Sequence, residues 1–204
     1  MTLTTSPAAV RAEAPAESRT DVRRTGFAVA AGALIWAGAM AIYHPQTTDP
    51  VGIMVSDLGA LPFQISLFML VTTQLKTLAT GTSKVARGML RVEYGLLSLA
   101  TLWTVLHGLV PSFRDDAWLA VLDLFWPLSM LGMFIIGVKI AVAGRWRGAA
   151  RVWPLVAESW AVVTVPTMAV FGALAGQVVG VGHLVVGYAT LGLILAFRPH
   201  LTGR

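Results

Sequence analysis

The sequence predicts an all-α, polytopic membrane protein whose six transmembrane helices form one bundle, with both termini in the cytoplasm. The apolar share, the scarcity of charge and the one-sided placement of Lys and Arg lead to this prediction. Hydrophobic residues make up 56% of the 204 residues, charged residues make up only 12%, and the mean hydropathy is +0.72. A soluble domain cannot bury so large an apolar fraction, and a disordered chain has the opposite composition.

Hydropathy, prolines and capping residues divide the chain into a polar tail, six spans and a short second tail. Residues 1–24 are rich in Ala, Ser, Thr and Pro and are predicted to be a disordered cytoplasmic tail. The predicted transmembrane domain covers residues 25–198, and residues 199–204 form a cytoplasmic tail. The predicted spans are about 26–43, 59–80, 91–110, 118–142, 153–175 and 178–197.

Local signals set several of these boundaries. Asp49-Pro50 has the pattern of an N-cap followed by proline at the first helical position, which predicts a short interfacial helix. Ser56-Asp57 offers a second cap just before the second span. The segment from Gly176 to Gly182 is expected to form the tight turn between the fifth and sixth spans.

Lysine and arginine give the orientation. Every Lys and Arg except Arg114 falls on one side of a six-span thread, in the two tails, in the loops after the second and fourth spans, or at the span ends beside them. Since an excess of basic residues marks cytoplasmic segments, both termini are predicted to be cytoplasmic. The net charge of +5 and the pI of about 10.2 therefore reflect topology, and nucleic-acid binding is not expected.

Several chemistries are excluded by composition. The chain has no cysteine, which excludes disulfides and thiolate metal sites, and it has no asparagine, which excludes N-glycosylation. No catalytic or nucleotide-binding motif of a soluble enzyme is present, so the sequence requires no cofactor and leaves open whether the protein is an enzyme. Ala39-Met40-Ala41 matches a signal-cleavage pattern, and cleavage after Ala41 stays open.

Ionisable residues at membrane depth are the candidate functional residues, because a bilayer tolerates them only at a cost. An outer group lies near the predicted outer boundary and consists of His44, Asp57, His107, Asp123 and His183. Asp123 has no basic residue in its own span, so we expect a partner in His107 or His183. Any metal would be held by these three residues, since imidazole and carboxylate suit zinc. The group could instead bind a ligand or relay protons, or it could consist only of helix caps and interfacial residues.

An inner group consists of Glu93 in the third span and Glu158 in the fifth span. Arg91, Lys139 and Arg151 lie at a similar predicted depth, so interhelical ion pairs or snorkelling contacts at the inner boundary are one interpretation. The other interpretation is a pair of proton or cation sites on a route whose outer mouth is the outer group.

The stretch His44-Pro45, Asp49-Pro50 and Ser56-Asp57-Leu58-Gly59 resembles a bacterial family of six-span integral membrane proteins of unknown function. That family carries a Ser-(Asp or Glu)-Leu-Gly motif at this place, and the loop from Pro111 to Asp116 is similar to its Pro-Asp loop. The likeness covers residues 26–197 and implies a six-helix membrane fold. Asp123 departs from the family's pattern, which has a His early in the fourth span. The abundance of Arg, Ala and Gly is typical of a high-GC bacterium, so the inner membrane is the expected location.

Three function classes follow from these observations. The first is small-solute or proton transport, or ligand binding, through the outer-face polar site. The second is a membrane-embedded metal-dependent hydrolase that uses His107, Asp123 and His183 to activate water against a lipid-like substrate. The third is a structural or partner-binding membrane subunit. The lipid bilayer is the one partner that the sequence identifies.

Overall fold

The computed structural model describes residues 16–44 and 47–203, and all the regular secondary structure of these residues is helical. The α-helices of this part of the chain are α1 (Ala16–Ile42), α2 (Pro50–Lys76), α3 (Lys84–Leu109), α4 (Ala117–Asp123), α5 (Phe125–Ala143), α6 (Gly148–Glu158), α7 (Trp160–Phe171), α8 (Ala173–His183) and α9 (Thr190–Phe197). A π-helical segment, Leu184–Ala189, joins α8 to α9. Short 3₁₀ turns cover Pro111–Phe113 and Pro199–Thr202.

Within the described residues, six helical stretches are long and apolar enough to cross a membrane. The first three correspond to α1, α2 and α3, and each of the last three combines consecutive helical pieces. Their bounds are Arg19–Ile42, Pro50–Lys76, Lys84–Leu109, Ala117–Ala143, Gly148–Phe171 and Ala173–Phe197. The prediction of an all-helical chain with six such stretches is confirmed.

Four chain segments meet at one end of the bundle, which we call the basic end. They are the start of α1, the end of α2, the α5–α6 loop and the C-terminal turn. The Nζ atom of Lys76 lies 3.4 Å from Oδ2 of Asp21, and the backbone N–H of Arg147 donates to the carbonyl of Leu201 at 2.8 Å. The described part of the predicted 199–204 tail is therefore packed against the α5–α6 loop.

The chain becomes helical earlier than expected at the N-terminus. Helix α1 begins at Ala16, within the predicted 1–24 tail, whose residues 1–15 lie outside the described part of the chain. Packing gives the reason, because Val22 is buried and the hydroxyl of Thr25 lies 3.0 Å from that of Thr73 on α2. The first turns of α1 thus extend the bundle at its basic end.

Helix α2 begins at Pro50 instead of near residue 59. The Asp49 carboxylate accepts a hydrogen bond from the N–H of Gly52 at 2.7 Å, and Pro50 occupies the first helical position, so the predicted cap is confirmed. The expected separate interfacial helix is wrong, because the chain continues without a break into the second span. Ser56 and Asp57 lie inside this helix and do not cap a second one.

The turn between the fifth and sixth spans lies at Gly172. Its φ of 87° and ψ of 173° belong to a backbone region that is open essentially to glycine alone. The predicted turn at Gly176–Gly182 is wrong, because these residues belong to α8. A Cβ added to Gly176 would lie 2.5 Å from the Cβ of Met168 on α7, so the small residue permits the close approach of α7 and α8.

An aromatic cluster fills the centre of the bundle. The Trp36 ring of α1 lies 5.1 Å from the ring of Phe63, 5.3 Å from that of Trp126 and 5.2 Å from that of Trp160. The ring of Tyr188, in the π-helical segment, packs edge-on against Phe63 at 4.7 Å. These side chains come from five of the six long helices and join them at one level.

Helices α1 and α9 touch through their backbones. A Cβ on Gly26 would lie 2.5 Å from the carbonyl oxygen of Gly192, and a Cβ on Gly192 would lie 2.5 Å from the carbonyl oxygen of Gly26. Paired glycines of this kind allow apolar helices to approach more closely than side chains permit. The first and last long helices are therefore direct neighbours.

Candidate functional site

Two carboxyl side chains lie in the interior of the bundle. Glu93 and Glu158 each expose 1% of their surface. Glu93 lies about 14 Å along α3 from its first residue, and Glu158 lies about 15 Å along the helix that begins at Gly148. Both therefore lie near the middle of membrane-length helices, which is deeper than the boundary position that the sequence predicted for them.

Glu93 is held by one neighbouring hydroxyl group. Ser129 on α5 donates a hydrogen bond to its Oε1 atom at 2.5 Å. The Oε2 atom is fully buried and has no hydrogen-bond partner among the described residues. It lies over Gly132, where an added Cβ would overlap it, so the absence of a side chain at this position makes room for the carboxyl group.

Glu158 has a similar arrangement with different partners. The Nε2 atom of Gln74 on α2 donates to its Oε1 atom at 3.1 Å. Its Oε2 atom lies against the backbone of Gly137 and meets no donor in hydrogen-bonding geometry within the described chain. Helix α5 thus presents Gly132 to one carboxyl group and Gly137 to the other.

Tyr188 brings a third polar group to this region. Its ring is fully buried, and its hydroxyl group has no hydrogen-bond partner in the described part of the protein. The residue before it packs against the residue before Glu158, since a Cβ added to Gly187 would lie 3.0 Å from the Cα of Ala157, and Tyr188 is therefore close to Glu158. We call the set Gln74, Glu93, Ser129, Glu158 and Tyr188 the buried carboxyl cluster.

Tyr188 lies in a π-helical segment, a distortion that occurs frequently at functional sites because it redirects side chains and leaves backbone groups less regularly paired. The Oε1 atom of Gln74 is also buried without a donor among the described residues. The buried carboxyl cluster therefore contains several acceptor atoms and few donors. Such an arrangement is costly unless protons or a bound cation supply the missing donors.

No basic side chain of the described residues forms an ion pair with either buried carboxyl group. Arg91 and Lys139 are exposed on the bundle surface. Arg151 instead donates from Nε to the carbonyl of Ala141 at 2.8 Å, at the end of α5. The interpretation of Glu93 and Glu158 as interhelical ion pairs is therefore wrong.

The structure brings three members of the predicted outer group together. Nδ1 of His107 lies 2.7 Å from Oδ2 of Asp57, and the Trp103 ring stacks on the imidazole at 4.6 Å. The Nε atom of Arg114 donates to the carbonyl of His107 at 2.8 Å. Asp123, the last residue of α4, is exposed and forms no ion pair with a described residue. These groups connect α2, the end of α3 and the loop that follows it.

The other two members of the outer group lie elsewhere. His183 is about 15 Å along the helix from Ala173, and its Nε2 atom lies 2.7 Å from the carbonyl oxygen of Val156. His44 follows the end of α1. In the described residues, no three His, Asp or Glu side chains are grouped so that they could hold a metal ion, so the set His107, Asp123 and His183 does not form a metal site.

Sequence reasoning singled out Glu93 and Glu158 but missed Gln74 and Tyr188 as their neighbours. A glutamine inside a long apolar span was the available signal, because its amide is costly in a bilayer without a partner. Nothing in the spacing of Tyr188 relates it to residues on other helices.

In comparisons with known proteins, no family model, no curated protein and no solved structure matches this chain. The resemblance based on the Ser56–Gly59 motif therefore stays a prediction. In the structure, the motif lies in the second turn of α2 and beyond, where Asp57 reaches His107.

Proposed function

We propose that this chain is a multi-pass protein of a bacterial inner membrane, with both termini in the cytoplasm. Six long apolar helices support membrane insertion. The basic end gathers nearly all of the described Lys and Arg residues, whereas Arg114 belongs to the opposite end. By the positive-inside rule, the basic end faces the cytoplasm.

The proposed function is small-solute or proton transport in which the buried carboxyl cluster binds protons. One observation carries the proposal: Glu93 and Glu158 are buried on different helices, lack a basic partner among the described residues, and each keeps one oxygen without a donor. Burying an uncompensated charge costs several kcal/mol, so each carboxyl group needs a proton or a cation to be neutral in this place. Ionisable groups buried in this way inside membrane helices mark proton relays and ion pathways.

The surroundings of the cluster suit proton exchange. Ser129 and Tyr188 carry hydroxyl groups that can both accept and donate, and Gln74 holds the Glu158 carboxyl group in place at 3.1 Å. The cluster replaces the outer group as the candidate site. Asp57 and His107 satisfy each other in a hydrogen bond of 2.7 Å, so we assign them to the joining of α2 and α3.

Infrared difference spectroscopy of the purified chain tests this function, because a protonated carboxyl group has a C=O stretching band that its carboxylate lacks. We expect the difference between acid and alkaline pH to contain a buried carboxyl band. The band should weaken in Glu93→Gln and in Glu158→Gln and disappear in the double variant. Asp123→Asn is the matched control, since it removes an exposed carboxylate that lies outside the cluster.

The proposal is wrong if the double variant reproduces the wild-type difference spectrum while remaining folded. Thermal unfolding of each variant provides the folding control. A band that persists in both single variants and vanishes only in the double variant would indicate that the two carboxyl groups share protons, which supports the proposal.

A further inference from the structure

A groove of about 500 Å³ runs along the flank of the bundle between α3 and α5. Its walls are apolar, and several of the side chains that form them are exposed on the outside of the bundle, including Val92, Leu131 and Ile135. In a bilayer, a groove with such walls opens toward the lipid chains. It is therefore accessible to molecules that are dissolved in the membrane.

Among the residues that the structure describes, Glu93 is the one charged residue that lines this groove. Its side chain is 1% exposed, and its Oε2 atom has no hydrogen-bond partner among the described residues. Gly132 also lines the groove, beside this oxygen, and an added Cβ there would overlap it. The described residues thus give the groove a long apolar surface and, at its inner wall, a carboxyl oxygen that lacks a donor.

We infer that this groove binds a lipophilic cation, a molecule with an ammonium head on an apolar body that enters from the membrane. The apolar walls offer nothing to a strongly hydrated solute, and a carboxylate repels an anion. An ammonium group supplies both the charge and the hydrogen-bond donor that the Glu93 oxygen lacks. The volume of the groove lies in the range of sites for drug-sized molecules.

This inference rests on the proposed proton binding, because Glu93 is the residue that both use. Binding of an ammonium ion converts the Glu93 carboxyl group to a carboxylate paired with the cation, and the carboxyl proton leaves to the solution. Each bound cation therefore releases up to one proton. Exchange of this kind couples the movement of a lipophilic cation to that of a proton.

The test uses three probes with the same tail and different heads: dodecylammonium, dodecanol and dodecanoate. Binding of each radiolabelled probe is measured with the full chain in lipid nanodiscs, and empty nanodiscs serve as the blank. We expect dodecylammonium to bind at least about tenfold more tightly than dodecanol, and dodecanoate to bind least, because of the charge-assisted hydrogen bond to Glu93. Glu93→Gln should remove this preference, whereas Asp123→Asn should leave it unchanged.

A pair of glycine variants tests the groove itself. Gly88 lines the groove, Gly95 lies on the same helix outside its lining, and neither would place an added Cβ within 4 Å of another group. Gly88→Leu should weaken the binding of dodecylammonium and dodecanol alike by about tenfold or more, since it fills the space that the tail occupies. Gly95→Leu should leave both unchanged.

Equal binding of the three probes, or full binding in Gly88→Leu or in Glu93→Gln, would overturn the inference. The two proposals can fail separately. If the infrared band of Glu93 is observed but dodecylammonium binds no more tightly than dodecanol, only the inference about the groove is refuted. Ammonium binding without proton release and without an infrared band from either Glu93 or Glu158 supports the groove and refutes the proposed proton function.

Discussion

Gly137 is the position where helix packing and the buried carboxyl cluster meet. A Cβ added there would lie 3.0 Å from the Cα of Leu155, 3.1 Å from its backbone nitrogen and 2.7 Å from Oε2 of Glu158. The side chain of Glu158 could shift, but the backbone of α6 is fixed by its own helix. Gly137→Ala should therefore force α5 and α6 apart, and it should destabilise the protein although alanine favours helices.

The size of this effect follows from two opposing contributions. Overpacking by one methyl group costs about 1–3 kcal/mol of unfolding free energy, and the helix propensity of alanine returns about 1 kcal/mol. Gly95→Ala gains the second contribution without the first, because no atom lies within 4 Å of its added Cβ. The two variants should differ by about 2 kcal/mol, which corresponds to about 4–8 °C in melting temperature for a chain of this length.

The assay is thermal unfolding of both variants, purified in the same detergent at the same pH and followed by far-ultraviolet circular dichroism. The Gly137→Ala variant should have a lower melting temperature than the Gly95→Ala variant. Its melting temperature should be at or below that of the wild type. If Gly137→Ala melts at or above the temperature of Gly95→Ala, the approach of α5 to Leu155 is not as close as the structure describes, and the reasoning is refuted.

Two further predictions concern the loops and ends of the bundle. Asp57→Ala removes the side chain that shares a partly buried hydrogen bond of 2.7 Å with His107, and it should lower the free energy of unfolding by about 1–3 kcal/mol. An unchanged melting temperature would contradict the structural role of this pair. Gly172→Ala adds a Cβ that meets nothing within 4 Å, so its only cost is the backbone conformation, about 1–3 kcal/mol. Thermal unfolding against the wild type measures this cost, and equal melting temperatures would show that the turn relaxes freely.

The membrane-length helices were predictable because the hydropathy of a segment depends only on the residues of that segment. A run of apolar residues indicates a span without reference to the rest of the chain, and Asp49-Pro50 indicated a cap that the structure contains. The turn after the fifth span was misplaced because glycine is used both for turns and for close packing. Gly172 adopts a conformation that requires glycine, whereas Gly176 is small because Met168 is near.

The candidate site was predictable only in part, for a related reason. The chemistry of Glu93 and Glu158 made them stand out in apolar spans, but their depth and their neighbours depend on how the helices are arranged. Gln74 and Tyr188 approach them from other spans, which no spacing along the chain reveals. His183 was placed at the outer boundary because the start of the last span was placed too late.

The contact between Gly26 and Gly192 has a consequence for how the protein is made. About 170 residues separate the two glycines. At 5–20 residues per second, a ribosome needs about 10–30 s to synthesise this intervening segment. During that time, α1 has its neighbour α2 but lacks the helix that covers its glycine face. The backbone of Gly26 therefore stays uncovered by α9 until the last long helix is made, and a ribosome that stalls before this helix leaves the bundle open along the seam between α1 and α9.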